Sequence, residues 1–156
     1  MKKITLPALL CLFMVTAGIS NAFAQISPIQ SNPLGLKDPW VKTHLIEPAE
    51  LADAIKAKKA PVIFNIGSVQ DIKGAVHVGA GNKAENIENL KKTAAALPKG
   101  TKIVIYCGCC PFAKCPNIRP AFNALRIAGL KNVKLLNLTD NLNTNWTSKG
   151  YPLEAE

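Results

Sequence analysis

The chain has 156 residues, 48% of them hydrophobic, and a formal charge of +9. That length suits one domain with a core of its own. Its basic residues are scattered (Lys56, Lys58, Lys59; Lys91, Lys92; Lys131, Lys134) with no aromatic-interleaved patch, which argues against nucleic acid as a partner and leaves, at most, attraction of small anionic substrates.

The first segment reads as a targeting signal. Lys2 and Lys3 precede an apolar run from Ile4 to about Ile19, and Ala22-Phe23-Ala24 supplies small residues where a signal peptidase cuts. Residues 1–24 are therefore expected to be a signal peptide, leaving no membrane span after cleavage and placing the protein in the periplasm or outside the cell. The run is short for an anchor and contains Pro7.

Residues 25–43 carry Pro28, Pro33, Gly35 and Pro39 and read as an extended lead-in, with Trp40 docking on the domain that follows, residues 44–156. Glu47-Pro48-Ala49-Glu50 opens a helix, since proline and acids suit a first turn, and this helix ends near Lys59. Val62–Ile66 is the first predicted strand. A loop from Gly67 to Lys73 leads to a short strand, Gly74–Val78. Ile87, Leu90 and Leu97 then recur at helical spacing, closed by Pro98-Lys99-Gly100. Lys102–Tyr106 is the most strand-like run. Ile118–Ala128 is a helix with Phe122 and Leu125 inward and Gly129 as its cap. Val133–Leu138 is the last long strand, followed by a short helix and a tail. The alternation predicts an α/β fold, a central, mostly parallel sheet with helices on both faces.

From the third predicted strand into the first turn of the next helix runs Cys107-Gly108-Cys109-Cys110-Pro111-Phe112-Ala113-Lys114-Cys115-Pro116-Asn117-Ile118-Arg119-Pro120. Four of the five cysteines are in this loop. A disulfide scaffold would spread its cysteines to close long loops, whereas these share one loop, so they read as a site. Ligands of such sheets bind beyond the carboxyl ends of the strands, and a helix N-terminus favours a thiolate there.

The ordered set of pieces resembles the rhodanese-like domain over roughly residues 45–153. The pieces are the strand Val62–Ile66, Gly74-Ala75-Val76-His77-Val78, the strand Ile103–Cys107, Gly129-Leu130-Lys131-Asn132-Val133, and Trp146 with Gly150-Tyr151-Pro152. The resemblance implies a sulfurtransferase. A cysteine thiolate takes sulfane sulfur from a small anionic donor such as thiosulfate, becomes a persulfide and yields the sulfur to a thiol or other thiophilic acceptor, with no cofactor and no dedicated metal ligands. Cys107 stands at the family's catalytic position, and Cys110 is the second candidate nucleophile. The loop backbone at Gly108 and Cys109, with Lys114 and Arg119, would cradle the anionic donor. Cys109 and Cys115 are candidates for a local disulfide or for resolving the persulfide.

The chain also departs from the family pattern. Phe64-Asn65-Ile66-Gly67 stands where the family commonly reads I-D-V-R, Thr139-Asp140-Asn141 replaces a Gly-Gly, and the cysteine loop is longer than usual. A phosphatase-like loop would need arginine where Ala113 stands. Two other chemistries fit the same residues. Cys107-Gly108-Cys109-Cys110 contains a C-x-x-C, as redox modules do, and clustered thiolates suit soft metals such as copper or zinc, though adjacent Cys109 and Cys110 make a poor closed cage. His44 and His77 are expected to be structural, and Trp40, Trp146 and Tyr151 to pack.

Overall fold

The computed structural model describes residues 40–155. The signal-peptide reading of residues 1–24, and the lead-in up to residue 39, lie outside the described residues.

Five strands form one sheet: β1 (Leu45–Ile46), β2 (Val62–Asn65), β3 (Ala75–His77), β4 (Ile103–Tyr106) and β5 (Val133–Leu136). Their spatial order is β1-β5-β4-β2-β3, and every neighbouring pair is parallel. The expected mostly parallel α/β sheet is thus fully parallel among the named strands. One isolated antiparallel bridge, Ile72 to Leu153, lies outside them. β4 is the central strand. All four of its residues are buried, the continuous apolar run expected of a strand covered on both faces.

The two faces hold separate cores. On one, Phe64, Ile103, Ile105, Val133 and Leu135 meet Leu90 and Ala94 of α2 (Ala84–Ala95) and Ile118, Ala121, Phe122 and Leu125 of α3 (Ile118–Ile127). On the other, Ile63, Val104, Tyr106 and Leu136 meet Leu51 and Ala52 of α1 (Pro48–Lys56) and Leu142 of α4 (Leu142–Asn145) with Trp146. Alternate residues of β4 therefore serve opposite cores, as a strand's two-residue period requires. The buried positions of α3 recur every three or four residues, and Pro120 falls in its first turn, where a missing N–H costs nothing. Pro48 does the same for α1.

The short strand β1 was not foreseen. Two residues carry no alternation to read, and only pairing with β5 (Leu45 with Leu135, Ile46 with Leu136) defines it. Trp40 belongs to this folded body, as expected, with its ring edge-on to Phe122 at 5.0 Å. Trp146 is fully buried, donates from Nε1 to the Pro152 carbonyl at 3.0 Å and packs against Tyr151. Among the described residues, no helix is long and apolar enough to cross a membrane.

Candidate functional site

Cys107 is the first residue past β4, so the central strand delivers its side chain to the carboxyl edge of the sheet. The neighbouring strand makes room for it. β2 and β4 run in register, Asn65 opposite Tyr106, which brings Gly67 alongside Cys107. A Cβ at residue 67 would lie 2.3 Å from the Cys107 carbonyl oxygen and 2.9 Å from its Sγ. Gly108 turns the chain with φ +77°, and a Cβ there would meet Val69 at 2.8 Å and Leu142 at 3.0 Å. Two backbone hydrogen bonds fasten the loop to the segment after β5: Leu142 N–H to the Gly108 carbonyl (2.8 Å) and Phe112 N–H to the Leu138 carbonyl (3.0 Å). A short 3-10 turn, Phe112–Lys114, shapes the middle of the loop.

This path gathers sulfur. The Sγ atoms of Cys107, Cys109 and Cys115 all lie within 4.8 Å of one another. Cys107 and Cys109 are 3.3 Å apart, as are Cys109 and Cys110. All four thiols are free; Cys107 and Cys115 are buried, Cys110 is half-buried and Cys109 is exposed. The sequence's C-x-x-C joins Cys107 to Cys110, whereas the sulfurs that hydrogen-bond with Cys107 are those of Cys109 and Cys115.

The negative charge of this cluster settles on Cys107. The Cys115 thiol donates to it, and Asn117 Nδ2 (3.1 Å), the Cys109 N–H and the Cys109 thiol donate as well. Together they outweigh burial and pull the Cys107 thiol from 9.0 down to about 5. Its neighbours move the other way. Cys115 is pushed far up because it donates to Cys107 and is buried, against a bond it accepts from the Asn117 N–H. Cys109 is pushed up to about 12, first by partial desolvation, then by donating to Cys107 and Cys110 and by their charge.

Asn117 was not singled out from the sequence, although Pro116-Asn117 before a helix was visible. It is the residue before α3, 7% exposed, and its Oδ1 accepts the Asn82 N–H at 3.1 Å, which leaves Nδ2 aimed at Cys107. The thiolate is thus held by a side-chain amide, a loop N–H and two thiols, where the sequence suggested the helix's own N–H groups. Lys114 is exposed at the end of the 3-10 turn. Arg119 donates to the Ala113 carbonyl (3.3 Å) and lies over the Trp40 ring at 5.8 Å. Neither cation is among the groups that hold the Cys107 charge.

A second unforeseen residue is Asn65, fully buried at the end of β2. Its Oδ1 accepts the Gly67 N–H (3.0 Å), and its Nδ2 donates to the Val69 carbonyl (2.7 Å) and to Asp71 Oδ1 (2.8 Å). Asp71 also contacts His77 Nδ1 at 3.1 Å. These bonds shape the 67–71 loop that forms the wall facing Gly108. His44 packs between Trp40 and Phe122, away from the sulfur cluster.

An open cleft of about 450 Å³, lined by Val69, Gln70, Gly108, Cys109, Asn141 and Leu142 among others, adjoins the cluster on its exposed side. A larger cavity, about 550 Å³, includes Lys59, Lys102, Arg126, Lys131 and Lys134 at the amino ends of the strands and contains no cysteine. Of the two, the smaller cleft is the one a site cysteine lines, through Cys109.

No protein-family model matches the chain, and no curated protein matches it.

Proposed function

We propose that the protein is an exported, rhodanese-like sulfurtransferase that carries sulfane sulfur as a persulfide on Cys107. The observation that carries the reading is the Cys107 sulfur, held as a thiolate at the carboxyl end of the central strand by Asn117, Cys115 and Cys109. The all-parallel sheet with helices on both faces, together with the ordered motifs, supports the rhodanese-like assignment. A nucleophile already ionised at neutral pH needs no general base. It attacks the outer sulfur of a donor such as thiosulfate, the donor's S–S bond breaks, and sulfite leaves with the bonding electrons. The persulfide anion inherits the donors that held the thiolate. A thiophilic acceptor then takes the outer sulfur and returns the Cys107 thiolate. Cys107 is 1% exposed, so the donor enters from the cleft beside Gly108 as the Cys109 side chain moves aside.

The test is the intact mass of the reduced, metal-free protein before and after thiosulfate, with and without cyanide. The expected result is a gain of one sulfur, removed by cyanide and abolished in Cys107→Ser with the fold retained. Loading that survives Cys107→Ser moves the nucleophile to Cys110, and no loading of the free thiols rejects sulfur transfer. A second reading, thiol–disulfide exchange, draws on the 3.3 Å Cys107–Cys109 contact. It predicts a reversible loss of two hydrogens under a glutathione redox buffer, with Cys107 and Cys109 joined in the mapped peptide.

A further inference from the structure

We infer that Cys107, Cys109 and Cys115 form a trigonal thiolate site for a soft monovalent metal ion, Cu(I). Three sulfurs converge here, all within 4.8 Å of one another, from a strand end, the turn after it and the residue that closes the 3-10 turn. Metal–thiolate bonds of about 2.3 Å place three sulfurs around one ion about 4 Å apart. The observed spacing, 3.3 Å between Cys107 and Cys109 and no more than 4.8 Å for any pair, needs only small side-chain adjustments. Two of the ligands are buried and the third is exposed, so the site is dry on one side and has an approach for the ion on the other, along the cleft that Cys109 lines.

The donor set selects the ion. Zn(II) favours four ligands in a tetrahedron, and among the described residues the convergent group contains three sulfurs and no histidine or carboxylate. Cys110 contacts Cys109 but is not part of that group. All-thiolate, low-coordinate environments favour Cu(I). Binding displaces the protons of Cys109 and Cys115 to solvent and involves no change in oxidation state. The excess negative charge of three thiolates around one monovalent ion meets donors already in place: Asn117 Nδ2 and the Cys109 N–H on Cys107, and the Asn117 N–H on Cys115. Asn117 is itself oriented by the Asn82 N–H. Such outer contacts orient and tune metal ligands. The site shares Cys107 and Cys109 with the proposed sulfur transfer, but its test reads binding and not turnover, so the two stand or fall separately.

The experiment is an anaerobic titration of the reduced protein with Cu(I) buffered by bathocuproine disulfonate, followed by X-ray absorption of the loaded protein. The expected result is one Cu(I) per chain with three sulfur neighbours. Cys109→Ser, at an exposed position where the fold is not at stake, weakens binding by more than the roughly 10- to 100-fold that outer-shell changes cost; Cys110→Ser leaves it unchanged. Equal Cu(I) affinity in Cys109→Ser, an equal loss in Cys110→Ser, two or four sulfurs around the ion, or Zn(II) displacing Cu(I) one for one would each overturn the assignment.

Discussion

A carboxamide donates 3.1 Å to the Cys107 sulfur, and the bond is strongest when that sulfur is charged. Hydrogen bonds to charged groups contribute about 1.5–3 kcal/mol, and each pKa unit corresponds to about 1.4 kcal/mol. Asn117→Ala is therefore expected to raise the Cys107 pKa by about one to two units. The measurement is thiolate ultraviolet absorbance against pH, which does not depend on reagent access. In the unaltered protein the Cys107 thiolate is expected with a midpoint of about 5, and Cys109 is expected to ionise only toward about 12. The sign follows from the donors: each stabilises the anion, so losing one makes the proton harder to remove. An unchanged midpoint in Asn117→Ala would assign the charge to the two thiols and the Cys109 N–H. Cys107 was legible as a cysteine at a strand end, but Asn117 was not, because its role depends on Asn82, 35 positions away in sequence.

Helix α3 joins core and site. Leu125 is fully buried on its inner face, so Leu125→Ala is expected to cost about 2–5 kcal/mol in denaturant unfolding. A cost below about 1 kcal/mol would mean that the face is not packed as described. The periodicity that found this helix, and the apolar runs that found β2, β4 and β5, are local signals and were legible. Their predicted ends ran slightly long, Val133–Leu138 against Val133–Leu136 and Ile118–Ala128 against Ile118–Ile127, because side-chain pattern continues past the last ladder bond. The 3-10 turn at Phe112–Lys114 had no periodic signal. At the end of β2, Gly67→Ala sets a new Cβ against a backbone oxygen, an atom that cannot step aside without the strand. Overpacking of this kind costs about 1–3 kcal/mol, and the midpoint of Cys107 ionisation should shift with it. A stable variant with an unmoved midpoint would contradict the close approach.

Across the whole molecule, the tail closes the wall of the site. Residues after Gly150 return to the 67–74 segment: Lys73 N–H donates to the Pro152 carbonyl, Glu154 N–H to the Asp71 carbonyl, and Gly74 N–H to Glu154 Oε2. From inside, the Tyr106 hydroxyl accepts the Ile72 N–H at 2.8 Å, and burial pushes its own pKa well up, keeping it neutral. Deleting residues 151–156 removes several hydrogen bonds at about 1 kcal/mol each and the Tyr151 cover over Trp146. Stability should fall by about 2 kcal/mol or more, and hydrogen exchange at Lys73 and Gly74 should quicken before exchange in β4 does. Uniform exchange across the sheet would show that the tail supports the fold as a whole. The terminal Trp146 and Gly150-Tyr151-Pro152 were visible in the sequence, but not where they return, since an antiparallel bridge between Ile72 and Leu153 spans a distance no local pattern encodes.

The bare α-carbon of Gly67 has a consequence for exchanging parts between proteins. Two of the chain's departures from the rhodanese-like pattern it resembles are the glycine just past one strand and the longer cysteine loop at the end of the next. Because a Cβ at residue 67 would overlap both the carbonyl and the sulfur of Cys107, the two departures are a matched set. Transplanting this loop onto a scaffold with arginine at that position would push the Cys107 sulfur off its donors, and placing arginine at residue 67 here would do the same to the native loop. The site is built from a pair of adjacent strand ends, and neither can be moved without the other.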